Sequence, residues 1–167
     1  IEVLITMIDG IVESCAQGHE DLCPTVVPVA QPTLDPLDLT AEASITSSAA
    51  LAESPASNVA DGDLDTVWNS GAAPRQWVRL EFATPRSIAS LRLTVAQDPA
   101  GYTVHRIWGG DSEETVQLLH EFAGDTADGQ MLEVRFAEPV ENIRVLYVIT
   151  TESPSWVAWR EIEVLGT

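Results

Sequence analysis

The sequence contains no lysine. All eight basic residues are arginine, set against 26 acidic residues, and the formal net charge is −18. Nucleic-acid binding needs a cationic stripe that displaces counterions from phosphate, and so acidic a chain does not supply one. The same shortage disfavours adhesion to anionic lipid, while an acidic surface favours solubility and attracts divalent cations. Cysteine is scarce too: Cys15 and Cys23, separated by seven residues, are the only two. They suit a local disulfide in an extracellular protein, with two free thiols as the alternative, and His19 is the only nitrogen ligand near enough to suggest zinc. No run of 18 apolar residues occurs, so no segment reads as a membrane-spanning helix.

Catalytic machinery is missing from the pattern as well. His19 lies near the start, His105 and His120 sit in apolar strand-like segments, and no Gly-x-Ser-x-Gly is present. The acids show no spacing that singles out a glycosidase pair. The chain is therefore not expected to be an enzyme.

Three stretches of different texture make up what is there. In residues 1–23 the apolar residues Ile1, Leu4, Ile5, Ile8, Ile11, Val12 and Cys15 recur at three- and four-residue steps, which predicts a short helix; Gly10 and the β-branched isoleucines leave an extended segment as the alternative. The opening IEVLI is similar to the start of the mature type IV pilins, a likeness that ends where Asp9 and Glu13 interrupt it. Residues 24–41 carry prolines at 24, 28, 32 and 36, which predicts a stiff extended linker; Val26, Val27, Val29, Leu34, Leu37 and Leu39 give it apolar residues to lay instead on the surface of the following domain. From residue 42 to 167 short segments rich in Val, Ile, Leu, Thr and aromatics alternate with Gly, Pro, Asp and Asn. Strands are predicted at 77–82, 88–95, 103–108, 116–122, 131–136, 143–150 and 159–165, with Trp68, Trp77, Phe82, Leu91, Leu93, Val145, Tyr147 and Ile162 in the core. That spacing, without helical stretches between, predicts an all-β antiparallel sandwich.

Within this third stretch, Asp61-Gly-Asp-Leu-Asp-Thr66 places three aspartates and a threonine around a glycine. Such a loop can wrap oxygens around a hard cation, or its aspartates can bond their own backbone in a plain turn. It is not an EF-hand, because twelve residues counted from Asp61 end at Ala72, not at a glutamate.

The run from Ala52 to Trp68, then Gln76-Trp-Val-Arg-Leu-Glu-Phe82, Tyr102 to Asp111 and Arg160 to Gly166, resembles in order the conserved blocks of the discoidin, or coagulation factor five/eight type C, family. The resemblance implies a jelly-roll, galactose-binding-like sandwich, similar to the family 32 carbohydrate-binding modules. It also implies a structural calcium held by the carbonyl of Asn58, by Asp61 and Asp63, by Thr66, by the carbonyl of Arg160 and by Glu161. The loops at one end would bind ligand through Asn69, Arg75, Tyr102 and Trp156, with Gln97 and Asp98 as further polar groups. No histidine stands beside Asn69, a departure from the sugar-binding members. The expected function is a noncatalytic, extracellular or cell-surface module for a neutral glycan or cell-surface polysaccharide. The alternative is a structural or adhesion domain of a cell-surface or filamentous assembly, joined to other protein subunits through residues 1–23.

Overall fold

The computed structural model describes residues 37–166. The predicted N-terminal helix, the pair Cys15 and Cys23 and most of the proline-rich linker lie outside the described residues. Eight strands follow in chain order: β1 (Leu37–Asp38), β2 (Ala43–Ser47), β3 (Trp68–Asn69), β4 (Gln76–Val95), β5 (Gly101–Gly110), β6 (Gln117–Thr126), β7 (Met131–Glu152) and β8 (Ala158–Gly166). All pair antiparallel, in the order β1-β8-β4-β7-β5-β6, with β2 on β4 and β3 on β8. The fold is the expected β-sandwich.

Four of the seven predicted strands are halves of two long ones. β4 and β7 span 20 and 22 residues, well beyond the usual strand length, and a strand that long must bend to wrap a core. The bend falls at register shifts between Glu81 and Ser90. Before it, β4 pairs with β2 and the second half of β7; after it, with the first half of β7 and with β8. Each long strand thereby serves both layers.

The core lies between them and includes Trp68, Leu80, Phe82, Leu91, Leu93, Ile107, Leu146, Trp159 and Ile162. Each such side chain contributes roughly 1.5–3 kcal/mol on burial. Two expected core residues are elsewhere. Trp77 and Tyr147 are half-buried on the outer face, packed edge to face with centroids 5.7 Å apart, and the Arg79 guanidinium stands 5.9 Å from the Tyr147 ring. Strand parity explains the correction: with Val78, Leu80 and Phe82 inward, Trp77, Arg79 and Glu81 face out, and the opposite parity would bury two charges. Val145 is buried as expected.

The sandwich also starts before residue 42. Leu37 and Asp38 pair with Gly166 and Leu165, and Leu39 and Thr40 are buried. Leu39 N–H donates to the Val164 carbonyl at 2.8 Å. Thr40 Oγ1 accepts from Val164 N–H at 2.7 Å and donates to Asp38 Oδ1 at 2.6 Å. Gly166 leaves room for this strap, since a Cβ there would collide with the Leu39 side chain. The apolar end of the linker is thus part of the domain.

Thr40→Val keeps the shape but orphans the buried Val164 N–H. We expect a loss of about 1–3 kcal/mol in urea unfolding at unchanged m-value; an unaltered midpoint would show that the strap contributes nothing.

Candidate functional site

The loop between β2 and β3 is built by its own side chains. A short 3-10 turn, Ala56–Ala60, delivers the chain to Asp61, and Gly62 then takes a φ of 75°, which an L side chain resists. Asp61 Oδ1 accepts from Asp63 N–H, and Asp63 Oδ1 accepts from Asp65 N–H, both at 2.9 Å. Asn58 Nδ2 closes the loop by donating to the Val67 carbonyl at 3.1 Å.

One hydroxyl stands at the focus of this loop. Thr66 Oγ1 lies 2.9 Å from Asp61 Oδ2, 3.0 Å from the Asp63 carbonyl and 3.5 Å from the Asn58 carbonyl. It has a single proton to offer to these acceptors. Glu161 of β8 adds another carboxylate: it is 7% exposed, and its Oε2 is buried without a hydrogen-bond partner. Burial first, and then the Asp61 charge, push the Glu161 carboxyl up to about 7, while the Gly62 N–H pulls the other way. Oxygens outnumber protons here, and a hard divalent cation is the group that such a donor set fits. Among the described residues no three His, Cys, Asp or Glu side chains converge to hold a metal. The fit therefore rests on two carboxylates, Asp61 and Glu161, completed by a hydroxyl and carbonyls. Asp63 differs from expectation in how it takes part: its carboxylate serves Asp65 N–H, and its carbonyl faces Thr66.

The side chain of Arg160 does something that the sequence reading left out. Nε and Nη2 grip Asp128 at 3.2 and 2.7 Å, and Nη1 donates to the Leu64 carbonyl at 2.7 Å. Asp128, in the turn before β7, is held below the usual carboxylate range first by its hydrogen bond with Arg160, with help from the backbone N–H groups of Gln97 and Gly129.

Arg160 and Asp128 lie in the wall of a cleft of about 660 Å³ that Asn69, Gln97, Asp98, Ser153 and Trp156 also line. Trp156 is 55% exposed. Asn69 spends its amide oxygen on Gly71 N–H at 2.8 Å, which leaves its NH₂ for a ligand. Gln97 is only 4% exposed and is used up internally: Nε2 donates to the Pro99 carbonyl and to Ser155 Oγ at 2.9 and 3.0 Å, and Oε1 accepts from Ser153 Oγ at 3.1 Å. Arg160 thus ties the Leu64 carbonyl to Asp128, and Gln97 braces the loop that bears Trp156 through Ser153 and Ser155. Of the four predicted ligand residues, the structure brings Asn69 and Trp156 together. Arg75 and Tyr102 are exposed and do not line the cleft; Tyr102, on β5 opposite Asp125, stands in solvent. Asp128 was missed because Asp-Gly before a strand reads as a plain turn.

The two histidines of the sandwich are used in packing. His120 stacks edge to face on Phe122 at 4.5 Å. His105 is buried against Trp159, 4.6 Å away, with Nδ1 bonded to Thr150 Oγ1.

The family model for the F5/8 type C domain matches residues 42–162. The chain belongs to the F5/8 type C domain family. No match was found among curated protein sequences. Solved structures similar to this F5/8 type C domain include the family 32 carbohydrate-binding module of Clostridium perfringens NanJ in complex with galactose, 16% identical over 75% of this chain and 95% of that one, with a TM-score of 0.66. A pectin-binding module is 26% identical over 72% and 88%, with a TM-score of 0.60. Chitosan-binding module 1 of the Paenibacillus sp. IK-5 chitosanase/glucanase, in a mutant form, is 19% identical over 78% and 99%, with a TM-score of 0.62.

Two buried titratable groups give this F5/8 type C domain a testable acid response. In metal-free protein Glu161, raised to about 7 from 4.5, stabilises the fold at acid pH and loses that contribution as pH rises through 7. His105, lowered by burial to about 4 from 6.5, stabilises it above 6.5 and loses that contribution as pH falls through 4. The trends oppose each other, so the melting temperature in chelator should be nearly flat between pH 4.5 and 6.5, the overlap of the two ranges. Glu161→Gln should make it fall on acidification, and His105→Gln should make it fall as pH rises. Equal slopes in all three proteins would refute both assignments.

Proposed function

We propose that this domain is a noncatalytic, extracellular carbohydrate-binding module whose cleft holds a neutral glycan and whose Asp61–Thr66 loop holds a structural calcium. The observation that carries the reading is the half-exposed indole of Trp156 at a cleft that also presents the Asn69 amide and the Asp98 carboxylate. A sugar ring needs an apolar platform for its C–H face and planar polar groups for its hydroxyls, and this cleft offers both. The ligands named for two of the similar structures, galactose and chitosan, are carbohydrates, which agrees with the reading.

Calcium would supply positive charge to the Asn58, Asp61, Asp63, Thr66 and Glu161 oxygens, with the Arg160 carbonyl as the remaining expected ligand. Its effect is mechanical. It favours the native state by mass action, by about 2.7 kcal/mol at a hundredfold excess over Kd. An alternative role as a structural or adhesion domain draws on the aromatic pair Trp77 and Tyr147, half-exposed on the outer face.

A glycan array probed with and without chelator tests ligand class and calcium together. Trp156→Ala should weaken binding by roughly tenfold or more while leaving calcium-dependent melting intact. Asp61→Ala should lower the melting temperature in calcium and erase the difference between calcium and chelator. Wild-type protein that binds no glycan on a broad array would contradict the carbohydrate reading, and an Asp61→Ala protein that melts like wild type would contradict the calcium site.

A further inference from the structure

The charges of the cleft are unevenly committed. Arg160 is the only basic residue among those lining it, and its guanidinium is engaged on all three nitrogens, by Asp128 through Nε and Nη2 and by the Leu64 carbonyl through Nη1. Its charge is balanced by Asp128, and of its five N–H groups only one on each Nη carries no hydrogen bond among the described residues. The two lining acids differ. Asp128 is neutralised by Arg160, whereas Asp98 is exposed and forms no ion pair among the described residues. The lining thus carries one uncompensated negative charge in a chain whose net charge is −18. Trp156 adds a half-exposed indole, whose face attracts cations as well as sugar C–H groups.

We propose that the cleft is selective for an amino sugar: among glycans of one skeleton it binds the form that carries a free, protonated amine in preference to the N-acetylated form, with Asp98 as the counter-ion and Trp156 as the platform. This rests on the reading of the cleft as a glycan site and adds the charge class of its ligand. Of the similar structures, one is described as chitosan-binding, and chitosan carries free amines, whereas the others are described with galactose and pectin. Acidic sugars are disfavoured twice, by Asp98 within the cleft and by the field of the whole chain. Arg75 is the one competing feature. It lies two residues beyond Ala73, which lines the cleft, and an acidic ligand would have to recruit it from outside.

The test uses the full 167-residue chain and a matched pair of β-1,4-linked disaccharides, one of glucosamine and one of N-acetylglucosamine, titrated by calorimetry at pH 6 in low and high salt. An exposed ion pair implies a preference of roughly 1.5-fold to fivefold for the amine form, shrinking as salt rises. Asp98→Asn should remove that preference, Asp98→Glu should retain part of it, and Glu138→Gln, which removes an exposed charge outside the cleft, should leave it unchanged. A preference that survives Asp98→Asn, or that Glu138→Gln reduces equally, assigns the effect to the general acidity of the chain and overturns the proposal. Equal binding of the two disaccharides, or tighter binding of a uronic acid disaccharide through Arg75, overturns it while leaving the glycan reading in place. Failure of both disaccharides and of galactosides to bind overturns the glycan reading itself.

Discussion

Two adjacent residues of the last strand, Arg160 and Glu161, meet the loop end of the domain: Arg160 holds it by hydrogen bonds, and Glu161 is buried beside it. A register shift against β4 between Trp159 and Glu161 breaks the alternation of the strand at this point. Glu161 is buried beside the Asp61–Thr66 loop, while Arg160 lines the cleft and grips Asp128 and the Leu64 carbonyl. A loop some hundred residues earlier in the chain is thus fastened to this strand through Arg160 and the Leu64 carbonyl. The same strand buries Trp159 and Ile162 in the core, so packing, loop and cleft share a rigid base. Surface ion pairs contribute little on their own. This one matters through its geometry, because the Arg160 fork ties the turn before β7 to the Leu64 carbonyl of the loop.

How much of this was legible depends on how local each feature is. The Asp61–Thr66 loop could be read because its residues are contiguous and a glycine marks the turn. Glu161 is almost a hundred positions away, and only the family resemblance joined it to the loop. Strand parity at Gln76–Phe82 was in principle readable, since Arg79 and Glu81 must face water, but the size of Trp77 argued for the wrong face. The length of β4 and β7 was hidden, because Pro85 and Pro139 near the bends look like strand ends. Asp128 could not have been assigned at all, and Gln97, expected among the polar groups facing a ligand, is instead used up inside the wall. Their roles come from hydrogen bonds between segments that only the folded topology brings together.

The division of labour at the loop end follows from chemistry. A buried carboxylate oxygen without a partner costs free energy, and Glu161 Oε2 is in that position. The cleft is different: its internal polar groups are largely satisfied before any ligand enters, so Gln97 and Asp128 shape the wall rather than wait for a sugar. What is left facing outward is Trp156, the Asn69 amide and Asp98. On the proposed reading, a sugar held in so open a cleft would bury little area, so its single-site affinity would be low and several copies acting together would raise it.

The five tryptophans provide a direct readout, since Trp156 lies at the cleft, Trp77 is on the outer face, and Trp68 and Trp159 are in the core. In a nitrogen-15 NMR titration of the calcium-loaded protein with galactose and with glucosamine oligosaccharides, the Trp156 indole N–H should shift in a saturable way together with the side-chain amide of Asn69, while the Trp77 indole stays in place. Shifts confined to Trp77 and the β4 to β7 face, or no saturable shift at Trp156 with any sugar, would contradict a glycan site in this cleft.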